Sequence, residues 1–192
     1  MKDDASINGR IAQQVRLLRS ERGLSLDALS SRCGVSRSML SLIERGETSP
    51  TAVVLDKLAA GLGVPLASLF DAPVCQDEPV SRHADQVVWQ DPHSGYVRRN
   101  VSPEGFQSPT RIVEVTFPPR ARVTYEAGAR TPAVLQQIWV LEGRMQIVNG
   151  TESWQLETGD CLAIPLDAPN SFHNPGDVPA RYAVVLTTLT RS

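Results

Sequence analysis

The chain has 192 residues, of which 41% are hydrophobic and 21% charged, so it is not disordered in bulk and holds enough apolar material for two modest domains. No apolar run approaches the roughly 20 residues of a membrane span, and the opening MKDDASING lacks the apolar centre of a signal peptide. The three cysteines are widely spaced, which predicts free thiols in a reducing compartment and hence a cytoplasmic location.

The formal net charge of −2 is unevenly distributed. Residues 1–70 contain 9 Lys and Arg against 7 Asp and Glu, which gives +2, and the remainder carries −4. Because local charge governs contact with phosphates, the negative total leaves a DNA-binding function open for the first part. So small a positive charge predicts modest binding per copy, and therefore two copies engaging two sites.

The first predicted helix extends from Gly9 to Arg22. Its apolar residues recur at the spacing of one helical face, and they are Ile11, Val15 and Leu18. Residues 1–8 precede this pattern and are predicted to be a frayed tail.

Two short helices joined by a turn are predicted next. Ser25 is a good N-cap for the first, and Gly34 can take the positive φ that a tight turn requires. Ser36 caps the second, in which Leu40 and Ile43 face inward. The opposite face is polar, and it carries Arg37, Ser38, Ser41 and Arg45. Two short helices around a glycine-bearing turn are typical of a helix-turn-helix.

The polar face suits DNA, because the major groove is about 12 Å wide and admits one α-helix. Arg37 can offer two parallel donors to guanine, and Ser38 and Ser41 can contact bases less selectively. Backbone N–H groups at the helix start, with Ser25 and Ser36 beside them, can hold phosphates. The alternative is an ordinary buried helix pair with a solvated face.

Two further helical segments complete the first part. Ser49-Pro50 predicts an N-cap and first residue of a fourth helix that ends at Gly61–Gly63. Its core stripe is predicted to be Val54, Leu55, Leu58 and Leu62. A last short helical turn is predicted from Pro65 to Phe70.

Residues 11–70 resemble the lambda-repressor/Cro-type helix-turn-helix family, and GVSRSMLSLIERGETSPT is similar to its recognition helix and following turn. The resemblance implies an all-α domain of five helices that binds a double-stranded DNA operator. It also places Arg37, Ser38 and Ser41 at or next to base-facing positions. Leu42 lies on the same edge, where it can meet a thymine methyl group.

The texture of the sequence changes after Phe70. Residues 71–86 are rich in acids and prolines and lack periodicity, which predicts a linker. From residue 87 onward, short β-prone runs alternate with turns, which favours a β-sandwich or barrel. Asn149-Gly150 is the strongest hairpin signal in the chain.

The second part resembles the cupin family, a jelly-roll-like β-barrel. The positions of the family frame fall on Gln136 and Gly143 in its first motif, and on Gly159, Pro165, Asp167, Asn170 and Asn174 in its second. Three departures stand in this frame: Gln136 replaces the metal-binding Glu, Asn170 replaces a His, and Asp167 replaces a Gly. Where the family's His pair should lie, the chain reads Ala129-Arg130-Thr131-Pro132.

These departures argue against a metal centre, since a cupin site needs imidazoles and often a carboxylate. From Gly95 onward the chain has one histidine, His173, and strand alternation points it away from the side of Asn170 and Phe172. The sequence therefore predicts no metal, no cofactor and no enzymatic activity.

The replacing amides suggest a ligand pocket instead. Gln136 and Asn170, among the apolar Ile138 and Phe172, could orient a small polar ligand, and Arg130 could pair with a carboxylate on it. The alternative is that the amides satisfy each other or a water and that the barrel only dimerises. Trp139 and Trp154 are predicted to serve packing or an interface.

The predicted fold class is a two-domain α + β protein: an N-terminal all-α five-helix helix-turn-helix domain in residues 1–70, a linker in 71–86, and a C-terminal all-β cupin barrel in 87–192. The predicted function is a DNA-binding transcription regulator that forms a homodimer and binds a small-molecule effector, without membrane contact. Two alternatives remain open: an atypical cupin enzyme with a tethered DNA-binding head, and a barrel that recruits another protein.

Overall fold

The computed structural model describes residues 4–71, 78–104, 108–126 and 133–189 of the chain. The first part is helical, with α1 Asp4–Glu21, α2 Leu26–Cys33, α3 Arg37–Glu44 and α4 Ala52–Leu62, followed by a 3-10 helix Leu66–Phe70. A second 3-10 helix, His83–Asp85, precedes the strands. Within the described part, no helix combines the length and apolar character needed to cross a membrane.

The predicted ends of the two central helices are confirmed. Ser25 Oγ accepts a hydrogen bond from the Ala28 N–H at 3.1 Å, and Ser36 Oγ accepts one from the Met39 N–H at 3.3 Å. Gly34 follows α2 with φ of 67°, the left-handed conformation that glycine adopts without strain. Local capping signals thus fix the turn between α2 and α3.

The beginnings of α1 and α4 differ from the prediction. Helix α1 begins at Asp4, because Ile7, one turn before Ile11, extends the apolar stripe and is only 5% exposed. The frayed tail predicted for residues 1–8 is therefore wrong for residues 4–8. Helix α4 is capped by Thr51, whose side chain accepts from the Val54 N–H, while the Ser49 hydroxyl accepts from Asn8 Nδ2 at 2.6 Å.

The helix count also differs, since the helical part has four α-helices and the predicted fifth is the 3-10 helix Leu66–Phe70. This segment has five residues, too few for a stable α-helix on propensity alone. Its conformation is fixed by burial, with Leu69 and Phe70 no more than 1% exposed.

The second part is all-β, as predicted, and the ten strands within its described residues form two antiparallel sheets. The strands are β1 Val88–Gln90, β2 Val97–Asn100, β3 Thr110–Phe117, β4 Arg122–Tyr125, β5 Val134–Glu142, β6 Arg144–Asn149, β7 Glu152–Glu157, β8 Cys161–Pro165, β9 Asn170–His173 and β10 Ala180–Thr188. The larger sheet has the order β1-β2-β3-β10-β5-β8, and the smaller one β4-β9-β6-β7. The predicted hairpin is confirmed, since β6 and β7 pair as far as Asn149 and Glu152 around Gly150.

Aromatic rings connect the two sheets and continue into the helical part. The Phe172 ring on β9 stacks on the Tyr182 ring on β10, with centroids 6.0 Å apart. The Phe70 ring lies 5.7 Å from that of Trp89 on β1. The apolar side chains of both parts consequently form a single buried cluster.

Polar contacts reinforce this junction. Asp91, in the turn after β1, is 2% exposed, and its Oδ1 accepts from the backbone N–H of Ala52 at the start of α4, at 2.9 Å. Further contacts between the two parts join Arg10 to Glu104 at 2.6 Å, Lys57 to Glu126 at 2.9 Å and Arg111 to Asp71 at 3.2 Å. The barrel is therefore joined to the helical part by a buried hydrogen bond as well as by ion pairs nearer the surface.

Candidate functional site

One face of α3 exposes the side chains that the sequence predicts to bind DNA. Arg37 and Ser38 are exposed on its first turn, and Ser41 and Leu42 are half-buried one turn later. Leu40 and Ile43 face the core with 0% and 1% exposure, as predicted. Ser25 and Ser36 cap α2 and α3 through their oxygens, which leaves the proton of the Ser25 hydroxyl to donate. The Ser36 hydroxyl also lies 3.1 Å from that of Ser38, and either of the two can donate to the other.

Both exposed arginines of this face have acidic neighbours. Arg37 Nε lies 3.2 Å from Asp27 Oδ1. Arg45 donates through Nε and Nη2 to the two carboxylate oxygens of Glu47, at 2.7 and 2.8 Å, and through Nη1 to Ser41 Oγ. The hydrogen bonds from Arg45 lower the pKa of Glu47. Exposed pairs of this kind contribute little to stability, so phosphate or a base edge can replace them at little cost.

An ion pair that the sequence analysis did not find joins α1 to the end of α3, with Glu44 buried and Arg19 partly buried. Arg19 donates through Nε and Nη2 to the two oxygens of Glu44, at 2.6 and 2.9 Å, and through Nη1 to the Leu24 carbonyl. Arg16 donates to the Glu44 carbonyl at 2.9 Å. The available signal was Glu44 itself, a carboxylate four residues after Leu40 on the inward face.

The barrel contains a cavity of about 70 Å³. Gln136, Asn170 and Phe172 all line it, so three of the predicted ligand residues lie together. Ile138 is fully buried two residues further along β5 and does not line the cavity. Arg130, which the sequence analysis predicts to pair with a carboxylate on the ligand, lies outside the described residues.

The cationic residue that lines this cavity is one that the sequence analysis missed. Arg98 on β2 is 7% exposed and lines the cavity together with Tyr96, Tyr125 and Tyr182. The signal was alternation, because Tyr96, Arg98 and Asn100 occupy every second position and are all buried. A strongly charged side chain on an inward face is unusual enough to mark a site.

Burial controls the electrostatics of the cavity. It lowers the pKa of Arg98, an effect that the nearby phenols and Asp56 oppose. Burial also raises the pKa of Tyr96, and it raises those of Tyr125 and Tyr182 well above the ordinary value. The three phenols are therefore neutral at physiological pH, and their hydroxyls can donate hydrogen bonds.

Two kinds of donor in this cavity lack partners. Nε and Nη2 of Arg98 are buried without a hydrogen-bond acceptor, and so is Nε2 of Gln136. The guanidinium carbon lies 5.5 Å from the centroid of the Phe70 ring, a cation–π contact that supports the charge without satisfying its N–H groups.

The donor set does not fit the metal ion that cupin barrels often hold. Gln136 and Asn170 stand at the ligand positions, and the buried guanidinium repels a cation. Nowhere in the ranges that the structure describes do three His, Cys, Asp or Glu side chains come together as a metal site. His173 is not a lining residue, and its Nδ1 lies 3.1 Å from Gln146 Oε1.

The helical part supplies one wall of the cavity. Asp56 on α4, with Pro65 and Leu66 after it, lines the same space as the barrel residues. A molecule in the cavity would therefore touch both parts of the chain.

The chain combines a helix-turn-helix, whose second helix is exposed, with an all-β barrel. This combination is typical of DNA-binding regulators. A helix-turn-helix family matches residues 15–69, and a cupin domain family matches residues 114–186. The chain belongs to the helix-turn-helix transcriptional regulators that carry a cupin domain.

Individual relatives agree over nearly the whole length. A crystal structure of an HTH_3 family transcriptional regulator from Vibrio cholerae is similar with a TM-score of 0.79 and 27% identity, over 97% of this chain and 99% of that one. The HTH-type transcriptional regulator SutR of Escherichia coli is 25% identical over 87% of this chain and 88% of its own. The HTH-type transcriptional regulator PuuR of Escherichia coli is 26% identical over 91% of each.

Proposed function

We propose that this chain regulates transcription by sequence-specific DNA binding, as a homodimer whose barrel binds a small polar metabolite. Residues 1–70 read the operator, residues 71–86 link, and residues 87–192 form the sensor and dimerisation domain. The observation that carries the proposal is the first turn of α3, where Arg37 is 67% exposed and Ser38 is exposed beside it. A recognition helix contacts base edges with this turn.

Each residue of the face has a role in this proposal. Arg37 donates in parallel to O6 and N7 of guanine, and Ser38 and Ser41 bond to neighbouring bases. Leu42 contacts a thymine methyl group. Phosphates are held by the hydroxyls of Ser25 and Ser36 and by the guanidinium of Arg45.

The test begins with selection of duplexes from a random pool by the wild-type protein, followed by fluorescence anisotropy of the enriched sequence at several salt concentrations. We expect Arg37→Ala to bind that duplex about 10- to 100-fold more weakly, because one bidentate base contact is worth about 1–3 kcal/mol. Its affinity for scrambled duplex should fall much less, since most phosphate contacts remain.

Arg120→Ala is the matched control for this experiment. Arg120 is 64% exposed and paired with Asp177, much as Arg37 is paired with Asp27, but it lies in the barrel. We expect its selectivity to equal that of the wild type. Failure of the selection to enrich any sequence, or equal selectivity in Arg37→Ala, would contradict the proposed recognition.

The proposed dimer uses the outer side of the larger sheet. Ile112, Leu135 and Trp139 are 40%, 43% and 50% exposed there, and β10 runs between them with Ala183 opposite Trp139 and Val185 opposite Ile112. We call these five residues the outer apolar face. Gln137, opposite Val185, and Glu114, opposite Ala183, lie on the same side of the sheet among these apolar residues. An exposed, largely apolar sheet face favours a partner, and a second copy suits a regulator whose helical part carries little net positive charge.

Trp139→Arg is expected to convert the dimer to a monomer, because a charge is placed at the centre of the apolar contact. Light scattering after size exclusion should give about twice 20.9 kDa for the wild type and 20.9 kDa for the variant. Val178→Arg changes an apolar side chain that is 63% exposed in the turn before β10, and it should remain dimeric. A monomeric wild type, or a dimeric Trp139→Arg, rejects this interface.

The proposed effector site is the cavity between β2, β5 and α4. Its two amides, its phenols and its guanidinium are able to orient a polar ligand within apolar walls. We propose binding without turnover there, in keeping with relatives that are named as regulators.

A further inference from the structure

The unpartnered donors of Arg98 form one edge of the guanidinium. Nε and Nη2 are the two nitrogens whose N–H bonds run parallel on the side away from Cδ, and both lack an acceptor. This edge matches the two oxygens of a carboxylate, and bidentate pairing of this kind is among the strongest hydrogen-bonded contacts available to arginine. A buried cation with an empty fork is costly, so the cavity gains more from an anion than from any neutral occupant.

We propose that the effector is a small monocarboxylate, held by the Nε–Nη2 edge of Arg98 and by the amide of Gln136, in the cavity shared by the barrel and the DNA-binding head. The proposal rests on the regulator function proposed above, and it specifies the chemical class of the effector. The Gln136 Nε2 donor lines the same cavity, equally without a partner, and serves a carboxylate oxygen or a neighbouring polar group.

The cation available in the cavity favours a ligand with a single negative charge. Arg98 is the one cationic residue among the described lining residues. The second charge of a dicarboxylate or of phosphate would find no second cation among them. A monocarboxylate leaves no such charge.

The size of the cavity limits the rest of the ligand. A buried water occupies about 10–15 Å³ of cavity volume. The cavity of 70 Å³ therefore accommodates about five waters, or a ligand of about five or six non-hydrogen atoms. Val115, Val184 and Leu186 present an apolar wall, and the hydroxyls of Tyr96 and Tyr125, 3.1 Å apart, provide a polar corner. Short-chain acids and their 2-oxo and 2-hydroxy derivatives fit this description.

The ligand site communicates with DNA through its walls. Arg98 packs on Phe70, the last residue of the 3-10 helix, and Asp56 and Leu66 belong to the helical part. Neutralising Arg98 and filling the cavity would change the contacts that hold α4 on the barrel. Because coupling is reciprocal, operator DNA must alter carboxylate affinity by the same factor by which carboxylate alters DNA affinity.

The experiment uses the full chain and a panel of acetate, propionate, butyrate, pyruvate and lactate, with propionamide and inorganic phosphate as matched negatives, at up to 50 mM. Thermal unfolding is followed with each compound, and those that raise the midpoint are measured by calorimetric titration. We expect at least one monocarboxylate to raise the midpoint in the wild type in the way that a ligand specific for the folded state does, and propionamide and phosphate to have no effect.

Variants of Arg98 test whether this residue binds the carboxylate. Arg98→Met should abolish the carboxylate response, with affinity reduced at least 30-fold, and Arg98→Lys should weaken it about tenfold because a single ammonium replaces the fork. Without ligand, Arg98→Met should be at least as stable as the wild type, because an unpaired buried charge has been removed. Arg99→Met, at the next position on the other face of β2, should respond as the wild type does.

The outcomes separate this inference from the proposed function. Absence of any monocarboxylate response, an equal response to propionamide, or a response retained by Arg98→Met overturns the carboxylate site, whatever the DNA assay gives. Selective DNA binding is measured in the same preparations by anisotropy. If DNA selectivity fails while carboxylate binding holds, the regulator function falls and the site stands. A carboxylate that binds the wild type without changing its DNA affinity overturns the coupling alone.

Discussion

Replacing Arg19 by methionine is expected to lower the free energy of unfolding by about 3 kcal/mol, the lower end of the usual effect of breaking a buried ion pair, because Arg19 is only partly buried. The pair has 18% exposure at Arg19 and 7% at Glu44, and it joins α1 to the end of α3. Without the guanidinium, the Glu44 carboxylate stays buried and loses two hydrogen bonds. Urea unfolding followed by circular dichroism measures the change.

The double variant Arg19→Met with Glu44→Leu is the informative control. Replacement of both partners by apolar groups removes the uncompensated charge, so we expect most of the lost stability to return. DNA binding by the double variant should remain weaker than that of the wild type, because the ion pair also joins α1 to the end of α3. If Arg19→Met unfolds at the wild-type urea concentration, the pair does not hold the recognition helix.

Asp91→Ala is expected to destabilise the protein by about 3 kcal/mol and to loosen the helical part from the barrel. Asp91 Oδ1 accepts from Ala52 N–H, one of the donors that the start of α4 leaves without a partner inside the helix, and Oδ2 accepts from the N–H and the hydroxyl of Ser94 at 2.8 and 2.5 Å. Leaving buried backbone N–H groups unsatisfied costs about 1–3 kcal/mol each. Urea unfolding, read by tryptophan fluorescence and by circular dichroism, should show transitions that no longer coincide.

Ser94→Ala provides the comparison. It removes the hydroxyl that donates to Asp91 but leaves the bond from Asp91 to α4, so we expect a loss of about 1 kcal/mol and a single transition. Non-coincident transitions in Ser94→Ala, or an Asp91→Ala variant within about 0.5 kcal/mol of the wild type, would show that the contact with Ala52 does not join the two parts.

The two predictions concern two contacts that together link the recognition helix α3 to the barrel. Arg19 and Glu44 fix α3 within the helical part, and Asp91 fixes α4 on the barrel. The cavity lies beside this second contact, since Asp56 is on α4 four residues after Ala52. An effector in the proposed site would therefore act where the helical part is held, and the recognition helix would move with it.

The sequence by itself determined the features that depend on local chemistry. Ser25, Ser36 and Gly34 fix the ends of α2 and α3 because a cap is a contact between a residue and its own neighbours. The short β-prone runs separated by turns, among them the segments that form β3, β5 and β10, sufficed to predict an all-β second part. The inward positions Leu40 and Ile43 followed from helical spacing alone.

Only the tertiary structure decided the features that depend on partners distant in the chain. Thr51 and not Ser49 caps α4, Ile7 makes α1 longer than its central stripe, and Leu66–Phe70 adopts a 3-10 helix because burial outweighs propensity over five residues. The ion pair between Arg19 and Glu44 spans 25 positions. Arg98 reads in the sequence as one more charged residue in a short strand, and packing alone removes it from water. The cavity with the unpartnered guanidinium edge forms only because β2, β5 and α4 come together there. No single segment of the sequence predicts that arrangement.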